Sequence, residues 1–148
     1  MKVAIGAVAI LFLAVCCPAR AQQNHSESDS YREYVTELPA AERVEILAVG
    51  WIATDEWRNV DCTKPDVLCY LPHKFPSKIL ASKMLAGEEA NIASMLWRRL
   101  KPGNGAGCFS PAYVLRFYTH GEILLTAEVC FHCCNIALPG TMAGICGD

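Results

Sequence analysis

Residues 108–136, "CFSPAYVLRFYTHGEILLTAEVCFHCCNI", decide the fold. Two runs rich in β-branched and aromatic residues, 112–118 and 122–131, flank His120-Gly121. Such runs suit strands, and glycine tolerates the positive φ that a two-residue hairpin turn requires. The stretch predicts an antiparallel hairpin in which Thr119 faces Glu122, Phe117 faces Leu124 and Cys108 falls opposite Cys133. Pro111 lacks an N–H for the ladder and breaks it before that last pair. A small slip in register brings Cys130 opposite Cys108 instead. In either register Cys108 returns to Cys130 and Cys133, so the turn gathers three thiols that the chain order separates. Arg116 lies inside the first run. It pairs with Glu128 or Glu122 across the hairpin or, more simply, snorkels to the surface.

Working upstream, "GEEANIASMLWRRLKPG" (87–103) predicts the main helix. Ile92, Leu96 and Leu100 recur at helical spacing beside Ala93 and Met95, so Leu96 is expected to face the core. Glu88 and Glu89 open the segment, and Arg98, Arg99 and Lys101 close it, both placements suiting the helix dipole. Pro102-Gly103 ends it. "SKILASKML" (77–85) reads as a short strand. "VEILAVGWI" (44–52) follows Pro39-Ala40-Ala41-Glu42, which resembles a first helical turn. Its β-branched and aromatic content favours a strand over 43–51. Between them, "TDEWRNVDCTKPDVLCYLPHKFPSK" (54–78) is irregular, with Cys62 and Cys69 placed to loop it. Asp55, Glu56, Asp61 and Asp66 read as a solvated loop, and His73 and His120 as surface or turn residues. Downstream, "ALPGTMAGICGD" (137–148) is weakly patterned, with Cys146 as its tie.

The N-terminus sets the redox context. Lys2 precedes the apolar run "VAIGAVAILFLAVCC" (3–17), and Ala19-Arg20-Ala21 places small residues where a signal peptidase reads. This order is that of a secretory signal, and the run is short of the roughly 20 residues that span a bilayer. The rival reading is a lipoprotein cysteine at Cys16 or Cys17, which Val15 fits poorly. The domain order is a signal peptide over 1–21, a polar disordered leader over 22–35 and a single small cysteine-rich domain over 36–148. With 13 basic and 15 acidic residues and a net charge of −2, the chain has no basic stripe, and nucleic acid is excluded as a partner. No transmembrane segment is expected in the mature chain. Its location is secreted or periplasmic, with a protein partner as one reading of its use.

Without Cys16 and Cys17, seven of the nine cysteines remain: Cys62, Cys69, Cys108, Cys130, Cys133, Cys134 and Cys146. Exported chains live where disulfides persist, and an odd count leaves at least one thiol over.

The motif Cys108-x-x-Pro111, Arg116-Phe117-Tyr118, Gly121 and Cys130-Phe131-x-Cys133-x-Asn135, with Leu38-Pro39 and Leu85-x-Gly87-Glu88-Glu89-Ala90 upstream, resembles a family of small secreted bacterial proteins. Cys134 is an insertion into that pattern, and the chain ends sooner after the hairpin. The resemblance implies an α+β architecture and no reaction. The fold expected is therefore α+β, one main helix packed on a small antiparallel sheet with a C-terminal β-hairpin.

Three chemistries compete for the thiols. Structural disulfides stabilise a small exported domain by about 2–4 kcal/mol each. This reading makes Cys108, Cys130 and Cys133 a cluster serving stability, with Cys62, Cys69, Cys134 and Cys146 in further bonds and no cofactor. A zinc site uses Cys108, Cys130 and Cys133 with His132 (or His120 or Cys134) as fourth ligand. Only one C-x-x-C pair supports it, and His132 points away from its neighbours in a strand. A thiol oxidoreductase uses Cys130-x-x-Cys133, but the βαβ setting of such motifs is lacking. No G-x-S-x-G, H-E-x-x-H or phosphate loop occurs. A non-enzymatic, disulfide-stabilised exported domain is the leading expectation.

Overall fold

A computed structural model describes residues 27–73, 75–105 and 107–146. The expected signal peptide and the lipoprotein alternative at Cys16 or Cys17 lie outside them. A short helix, α1 (Glu27–Tyr31), runs into a wider π-helical turn over Arg32–Thr36. Strands follow as β1 (Arg43–Trp51), β2 (Val67–Leu68) and β3 (Ser77–Ala86). Then come helix α2 (Glu88–Arg98) and strands β4 (Tyr113–Thr119), β5 (Glu122–Cys130), β6 (Asn135–Leu138) and β7 (Thr141–Gly144).

The seven strands form one antiparallel sheet in the order β2-β3-β1-β4-β5-β6-β7, curved into a half-barrel. This overturns the expected small sheet dominated by a helix. The sheet is the body of the molecule, and the hairpin is not its last element. The miss has physical causes. β1, β3 and the β4–β5 hairpin fall where strands were expected, so the miss lies in the short strands. β6 and β7 have four residues each, too few to show a period. They join at Pro139-Gly140, where Gly140 has φ 80°, the geometry a Pro-Gly turn provides.

The β4–β5 turn is built from His120 at φ 48° and Gly121 at φ 83°, as a right-twisted two-residue hairpin requires. Thr119 pairs with Glu122 and Tyr118 with Ile123. Leu124 is then bulged out, so Phe117 faces Leu125 and not Leu124.

The sheet has two covered faces. One carries Val44, Phe117, Leu125, Val129 and Ile136 in the main core with Tyr31, Val35, Leu38 and Trp97. Thus residues 27–35 of the expected leader are helical, and Tyr31 and Val35 are buried. The other face carries Leu47, Val49 and Val114, covered by Leu68 and Leu71 from the 52–76 excursion.

The orientation of α2 differs from the apolar stripe. Ala90, Ser94 and Trp97 are buried, whereas Ile92 and Leu96 are 46% and 56% exposed. The reason is polar docking onto the N-terminal segment. Ser94 Oγ accepts from Ala41 N at 3.3 Å, Trp97 Nε1 donates to Tyr34 O at 2.9 Å, and Arg98 Nη1 donates to Leu38 O at 3.2 Å. These bonds turn Ser94 and Trp97 inward and lift the Ile92–Leu96 edge off the sheet. Leu96 therefore does not face the core. Arg116 pairs with Glu45, directly opposite on β1, at 3.4 Å, and not with Glu128 or Glu122.

Candidate functional site

The α2–β4 connection is drawn against the end of the chain. Gly103 N donates to Gly144 O and Asn104 N to Cys146 O, each at 3.0 Å. Gly105 packs so closely that a Cβ there would collide with Asn135 Oδ1. Asn135 Nδ2 in turn donates to Cys108 O at 3.0 Å. These contacts carry Cys108 to the β5–β6 turn, with Cys108 Sγ 3.1 Å from Cys133 Sγ. Cys108 is exposed, and Cys133 and Cys130 are each 1% exposed. Cys130 Sγ accepts the Cys133 N–H at 3.1 Å.

Burial pushes the Cys130 thiol above its ordinary range, and its contact with Cys133 adds to the rise. That is the opposite of the lowering that makes an attacking thiolate. His132 is exposed on the turn. Among the described residues no group of three or more His, Cys, Asp or Glu side chains is arranged to hold a metal ion. The other four thiols form disulfides. Cys62–Cys69 closes the irregular excursion, and Cys134–Cys146 ties the β5–β6 turn to the C-terminal end, with Cα separations of 5.7 and 5.1 Å. Cys134 sits at φ 55°, and its carbonyl accepts from Ile145 N at 2.8 Å.

Two features went unread in the sequence. The first follows from the tilt of α2. Between the helix and the sheet lies a cavity of about 340 Å³. Ala93, Leu96 and Trp97 of α2, with Leu100 just past its end, form one wall. Val44, Ile46, Leu115, Phe117, Val129 and Ile136 form its floor, and Phe131 and Ile145 its end. Every lining residue is apolar, and the one polar side-chain group among them, the Trp97 indole N–H, is spent on Tyr34 O. Leu96 and Phe131 are 56% and 66% exposed.

The second is Glu128, 1% exposed on the opposite face. Its Oε2 accepts the His73 N–H at 2.6 Å. Desolvation pushes its pKa up to about 7, and the hydrogen bond from His73 only partly opposes this. The His73 ring lies against Phe75 and Phe109 at centroid distances of 4.4 and 4.6 Å, and burial lowers its pKa. The signal was present in the sequence: a carboxylate between Ala127 and Val129 at the buried end of β5.

Comparison with protein-family models, with curated proteins and with solved structures finds no match to this chain. No helix among the described residues is long and apolar enough to cross a membrane.

Proposed function

We propose that the protein is an exported, disulfide-stabilised binding domain that seats an uncharged apolar small molecule, or the alkyl portion of a larger one, between α2 and the sheet. The observation that carries this reading is the wholly apolar lining of the 340 Å³ cavity. Ligand sites fall at about 300–1,000 Å³ and bury their ligands against mostly apolar walls. A cavity of about 150 Å³ already accepts benzene, so this one has room for a medium alkyl chain or a fused ring pair. With no titratable side chain on its walls, the cavity has no group to move a proton, which favours binding over catalysis.

The two disulfides support the export reading, because such bonds persist in oxidising compartments. The secretory order of residues 1–21 and the resemblance to small secreted proteins point the same way.

The test is a titration with N-phenyl-1-naphthylamine, an uncharged probe that fluoresces when taken out of water. Saturable binding at one probe per chain is expected, with displacement by 1-decanol. Ala93→Phe, which fills the cavity from the helix wall, should weaken binding by at least about tenfold, equivalent to ~1.4 kcal/mol. Tyr70→Ser, at a residue 92% exposed and outside the cavity lining, should leave it unchanged. Binding indifferent to Ala93→Phe would overturn the reading.

A further inference from the structure

We propose that Cys108 and Cys133 form a thiol–disulfide exchange site for low-molecular-weight disulfides, in which Cys108 receives the incoming group and Cys133 expels it. The site goes beyond the cavity reading and does not depend on it. Three observations define the roles. Cys108 is exposed, so an external disulfide can reach it. Cys133 is buried, so it cannot be reached from solvent, yet its sulfur lies 3.1 Å from Cys108 Sγ. That gap is about 1 Å longer than an S–S bond, a closure that a small shift of the 107–110 loop supplies. Cys130 is buried behind Cys133, with its sulfur engaged by the Cys133 backbone N–H. Its high thiol pKa keeps it protonated and out of the exchange.

The chemistry balances without a further reactant. The Cys108 thiolate attacks one sulfur of oxidised glutathione. The glutathione S–S bond breaks, a Cys108–glutathione bond forms, and one glutathione leaves as thiolate and takes up the proton Cys108 gave to solvent. The Cys133 thiolate then attacks Cys108 Sγ. The mixed disulfide breaks, a Cys108–Cys133 bond forms, and the second glutathione leaves with the equivalent of the Cys133 proton. Two protein thiols lose two electrons, and one small disulfide becomes two thiols. In-line reach matters as much as thiolate content in such exchange, and here the resolving sulfur stands beside the attacked one. The mature chain then holds three disulfides and one buried thiol, Cys130, which accounts for its odd cysteine count.

The pairing separates this site from a C-x-x-C device. Cys130 and Cys133 touch but are both buried, whereas Cys108 brings an exposed sulfur to Cys133 from the loop before β4, which Gly103 and Asn104 hold to Gly144 and Cys146 and Asn135 holds at Cys108 O. Phe131, on the same turn as Cys133, lines the end of the apolar cavity.

The experiment starts from the full exported protein with Cys108, Cys130 and Cys133 as free thiols and Cys62–Cys69 and Cys134–Cys146 closed, a state checked by thiol labelling and non-reduced peptide mapping. Oxidised glutathione is then added, and intact mass and non-reduced peptide maps are followed with time. Wild type should gain one glutathionyl group transiently, lose it, and finish two hydrogens lighter with Cys108 linked to Cys133. Cys133→Ser should keep one glutathionyl group on Cys108. Cys130→Ser should behave as wild type. Cys108→Ser changes an exposed residue and should leave the fold intact, with no adduct formed and Cys130 and Cys133 both free. An adduct on Cys133 or Cys130 in Cys108→Ser, a Cys130–Cys133 bond in wild type, or an adduct in wild type as lasting as in Cys133→Ser would overturn the assignment.

Discussion

Glu128→Gln should make the protein more stable at neutral pH and remove a step from its pH profile. Glu128 is buried against Val114 and Ala137 on the neighbouring strands, below the His73 segment. Its pKa is raised from 4.5 to about 7 by desolvation. Between these values the native state holds a proton that the unfolded chain has already released. Stability is therefore greatest below about pH 4.5, falls as pH rises towards 7 and is level above. At about 1.4 kcal/mol per pKa unit, the loss across this window is on the order of 3 kcal/mol. Glutamine has nearly the same shape, keeps an oxygen to accept the His73 N–H and has no proton to lose. His73 works in the opposite sense. Its lowered pKa means that stability falls as pH drops through its unfolded and then its native value, but both proteins carry it and the difference between them cancels it. Urea melts of both proteins from pH 4.5 to 8.5 make the measurement. The variant-minus-wild-type difference should grow by about 3 kcal/mol across the window and then level off. A difference that stays flat would refute the desolvated carboxylate, and one that shrinks would mean Glu128 is held charged by a partner.

Phe117 is 1% exposed at the centre of the main core, so Phe117→Ala should cost about 3–5 kcal/mol in urea melts. Leu96→Ala, at a residue 56% exposed, should stay below about 1 kcal/mol. Removing both Cys134 and Cys146 as serines frees a loop of sequence separation 12 and should cost about 3 kcal/mol by chain entropy, read in the same melts. Trp97→Phe deletes the donor to Tyr34 O and should cost about 1 kcal/mol while keeping most of the ring burial.

The hairpin turn is legible because it is local. His120-Gly121 has the residue types that turn chemistry demands, and the first two pairs follow from loop length alone. The bulge at Leu124 is not legible, since nothing in the sequence marks which residue the sheet will leave unpaired. The helix interval is plain from its charges and its Pro-Gly stop, yet its rotation is not. An apolar stripe states which face prefers burial, but Ser94, Trp97 and Arg98 bind carbonyls and an amide 53 to 63 residues away in sequence. Those partners exist only once the N-terminal segment has folded over the sheet. The cavity is a consequence of that rotation and inherits its invisibility. For the thiols, a turn and a spacing carry Cys108 back to the β5–β6 turn, while the choice between Cys130 and Cys133 rests on the bulged register and on Asn135 holding Cys108 O. The Cys134–Cys146 bond is one of the pairings the sequence left open for Cys134.

The claim that α2 and the sheet enclose a ligand site is tested most directly by locating a bound alkyl chain. Methyl-labelled protein saturated with 1-decanol should show intermolecular nuclear Overhauser effects at Ile46, Leu96, Leu115 and Val129, which line the cavity. Leu47, Leu71 and Val114, packed on the other face of the sheet, should show none. Effects confined to Leu47, Leu71 and Val114, or no effects at saturating ligand, would contradict the account.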